Sequence, residues 1–266
     1  SQVFNYIERR NDLMFKECAP KVETFTKKRP FTVGAAKAFS VYTMWPFYSW
    51  FFHELGIEFT LSDTIDPEGV ARTEGQYCFP AEIAHGAVQD LVNKGVDYIF
   101  VPHFRDLESY EDDVHANFCP ITQSLPYYIR KAYPEIDDSK FLSPIVSFKF
   151  GREKAFEAFE ELGGKLGISS RETRAAFDAA CEKQQEFWNR YKQMGKEALE
   201  NARKLNHPVI TILGRPYNAF TRDANMGIPL KFTSRGYSVI PFDMLPFEES
   251  EIFDNMYWYY GQQDMK

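Results

Sequence analysis

Two cysteines carry the first chemical signal in this chain. Each is followed within two residues by proline, in Tyr77-Cys78-Phe79-Pro80 and Phe118-Cys119-Pro120, where a helix is due to begin. Proline suits a first helical turn because its missing N–H would be unpaired there anyway. A thiol at the same helix end meets the positive pole of the macrodipole, which lowers its pKa and favours thiolate, the form that binds iron or zinc. An isolated Cys-Pro dipeptide reads as a small buried hydrophobe; the repetition favours one shared site. No Cys-x-x-Cys pair exists to support an ordinary zinc site. His85 falls two turns along the first of these helices, roughly 10 Å from Cys78. That is too far to share one small ion, so His85 is expected to bond a backbone group or line the crevice. Cys18 and Cys181 lack a following proline and read as structural.

A second candidate is the turn Gly214-Arg215-Pro216-Tyr217-Asn218. Glycine lets the backbone approach a ligand, and the planar Arg215 fork can hold a carboxylate or phosphate, with Tyr217 and Asn218 beside it. The patterns G-x-x-x-x-G-K-[ST] and G-x-G-x-x-G are both missing, so nucleotide hydrolysis has no motif. Neither a G-x-S-x-G elbow nor an H-E-x-x-H helix is present to support hydrolase chemistry.

These residues need a scaffold, and composition supports a globular one. The chain has 266 residues, 44% hydrophobic and 26% charged, enough for one large or two small α/β units. Twenty-five Phe and 15 Tyr are expected mainly in the core. A net charge of −7, with no basic run beyond Lys27-Lys28-Arg29, argues against nucleic acid as a partner. No apolar stretch is long enough to span a membrane, and four cysteines make no disulfide framework, so the reading is a cytoplasmic protein.

Residues 1–30 read as an N-terminal helical extension, ended or kinked at Pro20. Residues 31–165 read as a first α/β lobe holding both Cys-Pro motifs. Strands are expected at Phe31–Ala36, Ile57–Leu61, Val96–Pro102 and Leu142–Phe148, and helices at Ser40–Leu55, Pro67–Gly75, Pro80–Lys94, Cys119–Tyr133 and Gly151–Leu162. Such alternation implies a mostly parallel sheet covered on both faces. Both Cys-Pro motifs then fall at the carboxyl ends of strands, where open sheets bind ligands. The stretch Phe104–Asn117, with Asp106, Glu108, Glu111, Asp112 and Asp113, reads as a solvated loop without calcium spacing. Residues 166–206 form a long helical linker, one helix or a pair. Residues 207–266 read as a partial second lobe, with strands at Val209–Leu213 and Ser238–Pro241 and a helix at Met226–Ser234.

In order along the chain, Leu55-Gly56-Ile57-Glu58, Ser62-Asp63, Cys78-Phe79-Pro80-Ala81-Glu82-Ile83-Ala84-His85-Gly86, Gly95-Val96-Asp97-Tyr98-Ile99-Phe100-Val101-Pro102, Asn117-Phe118-Cys119-Pro120, Gly214-Arg215-Pro216-Tyr217 and Met256-Tyr257-Trp258 resemble one family. It is the activase-related region of the large activators of 2-hydroxyacyl-CoA dehydratases, itself similar to the iron-sulfur dehydratase subunits. The resemblance implies flavodoxin-like three-layer lobes and an iron-sulfur cluster of the 4Fe-4S kind held by Cys78 and Cys119 at a crevice. It also implies ATP-driven single-electron transfer in anaerobic metabolism. The implied partners are an ATP-dependent activase portion of the same chain and an acyl-CoA dehydratase or reductase. Such a cluster ordinarily takes three or four thiolates, so the cluster is expected in the intact protein and not in this stretch alone, which is not expected to be catalytically complete. Two alternatives stand beside this reading. One is a dehydratase-like subunit that binds a CoA thioester through Arg215; the other is a metal-free scaffold docking reductase to client through the aromatic segment around Trp258.

Overall fold

Short β-branched and aromatic runs bounded by glycine or proline form the strands, as their stiff side chains favour. The computed structural model describes residues 3–21, 27–75, 78–108, 116–206, 208–246, 256 and 258–265. Tyr77, Tyr257 and the acidic residues Glu111, Asp112 and Asp113 lie outside them.

The chain opens with α1 (Tyr6–Asp12), which runs into a π-helical turn, Leu13–Glu17. The first lobe follows as β1 (Thr32–Ala35), α2 (Val41–Glu54), β2 (Glu58–Leu61), α3 (Pro67–Ala71), α4 (Phe79–Asn93), β3 (Tyr98–Phe100) and β4 (His103–Asp106). It continues with α5 (Pro120–Ala132), β5 (Phe141–Leu142), β6 (Ile145–Ser147) and α6 (Gly151–Lys165). Strands β2-β1-β3-β5 form one sheet in that order, every pair parallel. Right-handed crossovers then put α2 on one face and α4 on the other, giving three layers.

Two strands expected to be continuous are interrupted, and one expected loop is a strand. Pro102 and Pro144 cannot donate to a ladder, so β3 and β5 stop before them and resume as the parallel pair β4 and β6. Pairing crosses the break, with the Val101 N–H on the Leu142 carbonyl at 3.0 Å and the His103 N–H on the Pro144 carbonyl at 3.0 Å. His103–Asp106 therefore belongs to the sheet rather than to the acidic loop. Buried Asp106 accepts from the Ser147 hydroxyl at 2.7 Å and the Lys149 N–H at 3.0 Å, which ties it to the neighbouring strand.

Helix α2 is buried along most of its length and carries the aromatic core. Phe47 packs on Phe51, Phe159 and Phe177, and Phe52 on Phe59 and Phe100. Gly56, at φ 72°, ends the helix where a side chain would strike the Lys27 carbonyl. The long segment is one helix, α7 (Ser170–Leu205), started by Ser169 accepting the Glu172 N–H and closed by Asn206 in the left-handed region. Its face toward α2 places Gln184 so that its side chain accepts the Phe47 N–H and donates to the Thr43 carbonyl.

After α7 come β7 (Val209–Ile212), α8 (Pro216–Ala219), α9 (Ile228–Thr233), β8 (Ser238–Pro241) and α10 (Tyr259–Met265). Strands β7 and β8 pair in parallel. The opening segment, read from sequence as a helical extension, forms α1, and just before it the chain meets β8 in a single parallel bridge, Asn5 with Val239. The Val239 N–H bonds the Phe4 carbonyl at 2.9 Å, and the Phe4 N–H bonds Ser238 Oγ at 3.1 Å. A few residues on, fully buried Arg10 donates to the Tyr42 carbonyl at 2.7 Å and lies 3.6 Å from Asp243. Its guanidinium sits between the rings of Tyr191 and Phe220.

Candidate functional site

Strand order β2-β1-β3-β5 reverses direction between β1 and β3, so the crevice at their carboxyl ends is the topological switch point of the sheet. On the β1 side the chain turns through Ala36–Ser40. There Phe39 adopts φ 45°, a left-handed conformation costly for a bulky residue. On the β3 side, β4 leads toward Cys119. Cys78 is the N-cap residue of α4 and Cys119 that of α5, each with proline in the first turn and neither thiol capping its helix through a side-chain hydrogen bond.

The two thiols share one electrostatic neighbourhood with Arg215. Burial pushes the Cys78 thiol up, and charge on Cys119 adds to that; the Ala81 N–H and Arg215 act in the opposite direction. The thiolate-favouring effect expected at a helix N-terminus is thus outweighed for Cys78 by desolvation.

The β7–α8 turn reaches this rim from the second lobe. Arg215 is the N-cap residue of α8 and lays its guanidinium 4.9 Å over the Trp258 ring. Tyr217 is 3% exposed, its ring 4.8 Å from Phe39 and 6.4 Å from Tyr260, whose hydroxyl pairs with Thr43 at 2.6 Å. Burial raises the Tyr217 pKa well above its ordinary value, and nearness to Cys119 adds to the rise. The Tyr217 hydroxyl approaches Thr122 and Cys119, yet neither it nor the Thr122 hydroxyl, 1% exposed, reaches hydrogen-bond geometry with any partner. Arg215 Nε and Trp258 Nε1 are equally unpartnered. Buried polar groups are paired in the great majority of cases, so four orphans at one rim are unusual.

Residues 258–260 pack against the Asn117–Phe118 stretch that leads into Cys119. Trp258 bridges Asn117, the Tyr259 N–H bonds the Asn117 carbonyl at 3.0 Å, and Phe118 packs on the rings of Tyr259 and Tyr260. Tyr259 and Tyr260 are buried, so these two rings are used inside the protein.

The remaining expected residues do not join the group. His85 is buried on α4 with Nδ1 2.7 Å from the Ala81 carbonyl, and burial holds its pKa below the usual value. It lines a small hollow with Arg72 and Lys131, without either cysteine. Asn218 is exposed on α8. Cys18 is buried under Trp50, and burial pushes the half-buried Cys181 thiol up to about 11. Among the described residues no three His, Cys, Asp or Glu side chains come together as a metal site. Thr122 and Phe39 were missed from sequence. Thr122 had a signal in its spacing, three residues after Cys119 and hence one turn along the same helix face; Phe39 had none.

The molecule is thus an α/β protein with mostly parallel sheets, in which Cys78 and Cys119 occupy helix N-cap positions. The chain belongs to the family described as the CoA enzyme activase uncharacterised domain (DUF2229), whose family model matches residues 32–245. That membership agrees with the activase-related resemblance of the motifs and brings with it a CoA-related activase role. No curated protein and no solved structure matches the chain. Among the described residues, no helix is long and apolar enough to cross a membrane.

Proposed function

We propose that this chain is the cysteine-bearing portion of an iron-sulfur activator of 2-hydroxyacyl-CoA dehydratases, with Cys78 and Cys119 as two of the cluster's thiolate ligands. In this reading it supports ATP-driven single-electron transfer to an acyl-CoA dehydratase or reductase in the cytoplasm. ATP is handled by a separate activase portion. The observation that carries the proposal is the gathering of both Cys-Pro thiols with Arg215 and two orphan hydroxyls at one rim.

The two cysteines are donors of the kind such a group takes. Thiolates are the ligands iron-sulfur clusters take, and a nearby fixed cation offsets the negative charge of thiolates and bridging sulfide. When bound, the cluster supplies a one-electron carrier. The chain's own contribution is to place both thiols at helix N-cap positions, where the positive helix ends favour negative charge. Two thiolates do not complete a four-iron cluster, so the remaining ligands come from outside the described residues or from a second chain.

Iron and sulfide analysis of the intact protein, isolated without oxygen, tests the proposal. Stoichiometric iron, lost in Cys78→Ala or Cys119→Ala, is the expected result. Full iron retention in the double Cys78→Ala, Cys119→Ala variant overturns it.

A further inference from the structure

We infer that the cavity beside α2, α6 and α7 is a binding site for a small organic cation, an amine or quaternary ammonium carried on an apolar body. The inference stands apart from the iron-sulfur reading, because neither Cys78 nor Cys119 lines the cavity.

The cavity lies against a break in α2. Pro46 sits inside that helix, and the backbone leaves helical angles at Met44. Gln184 of α7 takes both the Phe47 N–H and the Thr43 carbonyl there, at 3.1 Å each, so the break is fixed by the packing of the two helices. Beside it the protein leaves a space of about 440 Å³. Small-molecule sites run from roughly 300 to 1,000 Å³. Phe47 and Phe148 meet edge to face in its lining, ring centroids 6.0 Å apart, and Trp188 and Tyr259 add two further rings. Phe47 is clamped from behind by Phe159 and Phe177, which makes this aromatic surface preformed.

Charge decides the ligand. The charged side chains of the lining are Glu108, Arg152 and Glu182. Arg152 is offset by Asp178, donating to its carboxylate at 2.8 Å and to its carbonyl at 3.1 Å. Glu108 and Glu182 are exposed and form no ion pair with any described residue. A cation in the cavity therefore meets two uncompensated carboxylates and the negative faces of the rings, whereas an anion is repelled by both. Because the carboxylates are solvated, they select the sign of the ligand while the rings hold its apolar body.

Isothermal titration calorimetry with benzyltrimethylammonium, benzyl alcohol and phenylacetate tests this. Benzyltrimethylammonium is expected to bind saturably and more tightly than the neutral or the anionic compound. Glu108→Gln combined with Glu182→Gln should weaken it about tenfold, as the loss of two solvated ion pairs implies. Trp188→Leu should weaken it as well, and the double glutamine variant, altered only at exposed positions, decides the matter should Trp188→Leu fail to fold. Glu197→Gln, an exposed change elsewhere on α7, should leave binding unaltered. The inference is overturned by an absence of saturable benzyltrimethylammonium binding, by equal binding of benzyl alcohol or phenylacetate, or by a double glutamine variant that binds no worse than Glu197→Gln.

Discussion

Substituting Asp243 by Asn should unfold a large part of this protein's stability margin. Arg10 has no exposed side-chain surface and Asp243 only 2%, and the pair is enclosed by Tyr191 and Phe220. Besides Arg10, the Asp243 carboxylate accepts the Tyr191 hydroxyl at 2.5 Å. Asn in its place leaves the guanidinium buried with no countercharge, a loss of about 3–5 kcal/mol. Each 1.4 kcal/mol is about tenfold in the folding equilibrium, so the folded-to-unfolded ratio falls by roughly a hundredfold to several thousandfold. Removing both charges, in Arg10→Met with Asp243→Leu, should recover most of that loss, because apolar groups of similar size avoid the desolvation penalty. Equilibrium urea unfolding of the unaltered protein, the single variants Arg10→Met and Asp243→Leu and their double variant gives the coupling directly. A loss below about 1 kcal/mol in Asp243→Asn, or a double variant as unstable as the single, refutes the reasoning that the pair is buried and coupled.

Two glycines should respond oppositely to alanine. A Cβ at Gly195 on α7 would strike the Met244 carbonyl, so Gly195→Ala must push the 3-10 turn Phe242–Met244 away and should cost about 1–3 kcal/mol in urea unfolding. Gly164 on α6 has open space at that position, and Gly164→Ala should add about 0.5–1 kcal/mol. Acid should weaken the fold below pH 6.5: His85, His53 and His103 all have folded pKa values lowered by burial from 6.5, so the unfolded chain binds more protons there. Stability present above that pH is lost as pH falls toward the folded values. Urea midpoints at pH 7.5 and 5.5 should show the drop, and His85→Asn should lessen it. Phe52→Ala, which empties the space against Phe59 and Phe100, should cost about 3–5 kcal/mol by the same measurement.

The parallel sheet was legible in the sequence because glycines and prolines mark its boundaries: Gly56 and Gly95 end helices, and the apolar runs after them are strands. The breaks at Pro102 and Pro144 were also written there, although whether a proline ends a strand or only interrupts it depends on the neighbouring ladder. The cysteine rim was half legible. Cys-Pro spacing located both thiols on helix ends, but burial at Cys78 is a tertiary property, and it reversed the expected direction of its pKa. His85 illustrates the limit of motif reasoning: it sits inside the Cys78 motif, and its imidazole pairs with the Ala81 carbonyl of its own helix. The pairing of Phe4 with Val239 had no sequence signal, since nothing local in either segment specifies a partner so far away.

That last contact sets an order of events during synthesis. Phe4 and Ser238 are 234 positions apart, and Arg10 must also meet Asp243. At roughly 5–20 residues per second, the opening segment leaves the ribosome about 10–50 s before its strand partner exists. Through that interval its apolar face, with Ile7 and Leu13, has only part of its final surroundings, while β1 to β6 can already pair. Residues near Phe4, made well before β8, therefore wait for their partner, and the Phe4–Val239 hydrogen bond forms only after β8 has emerged.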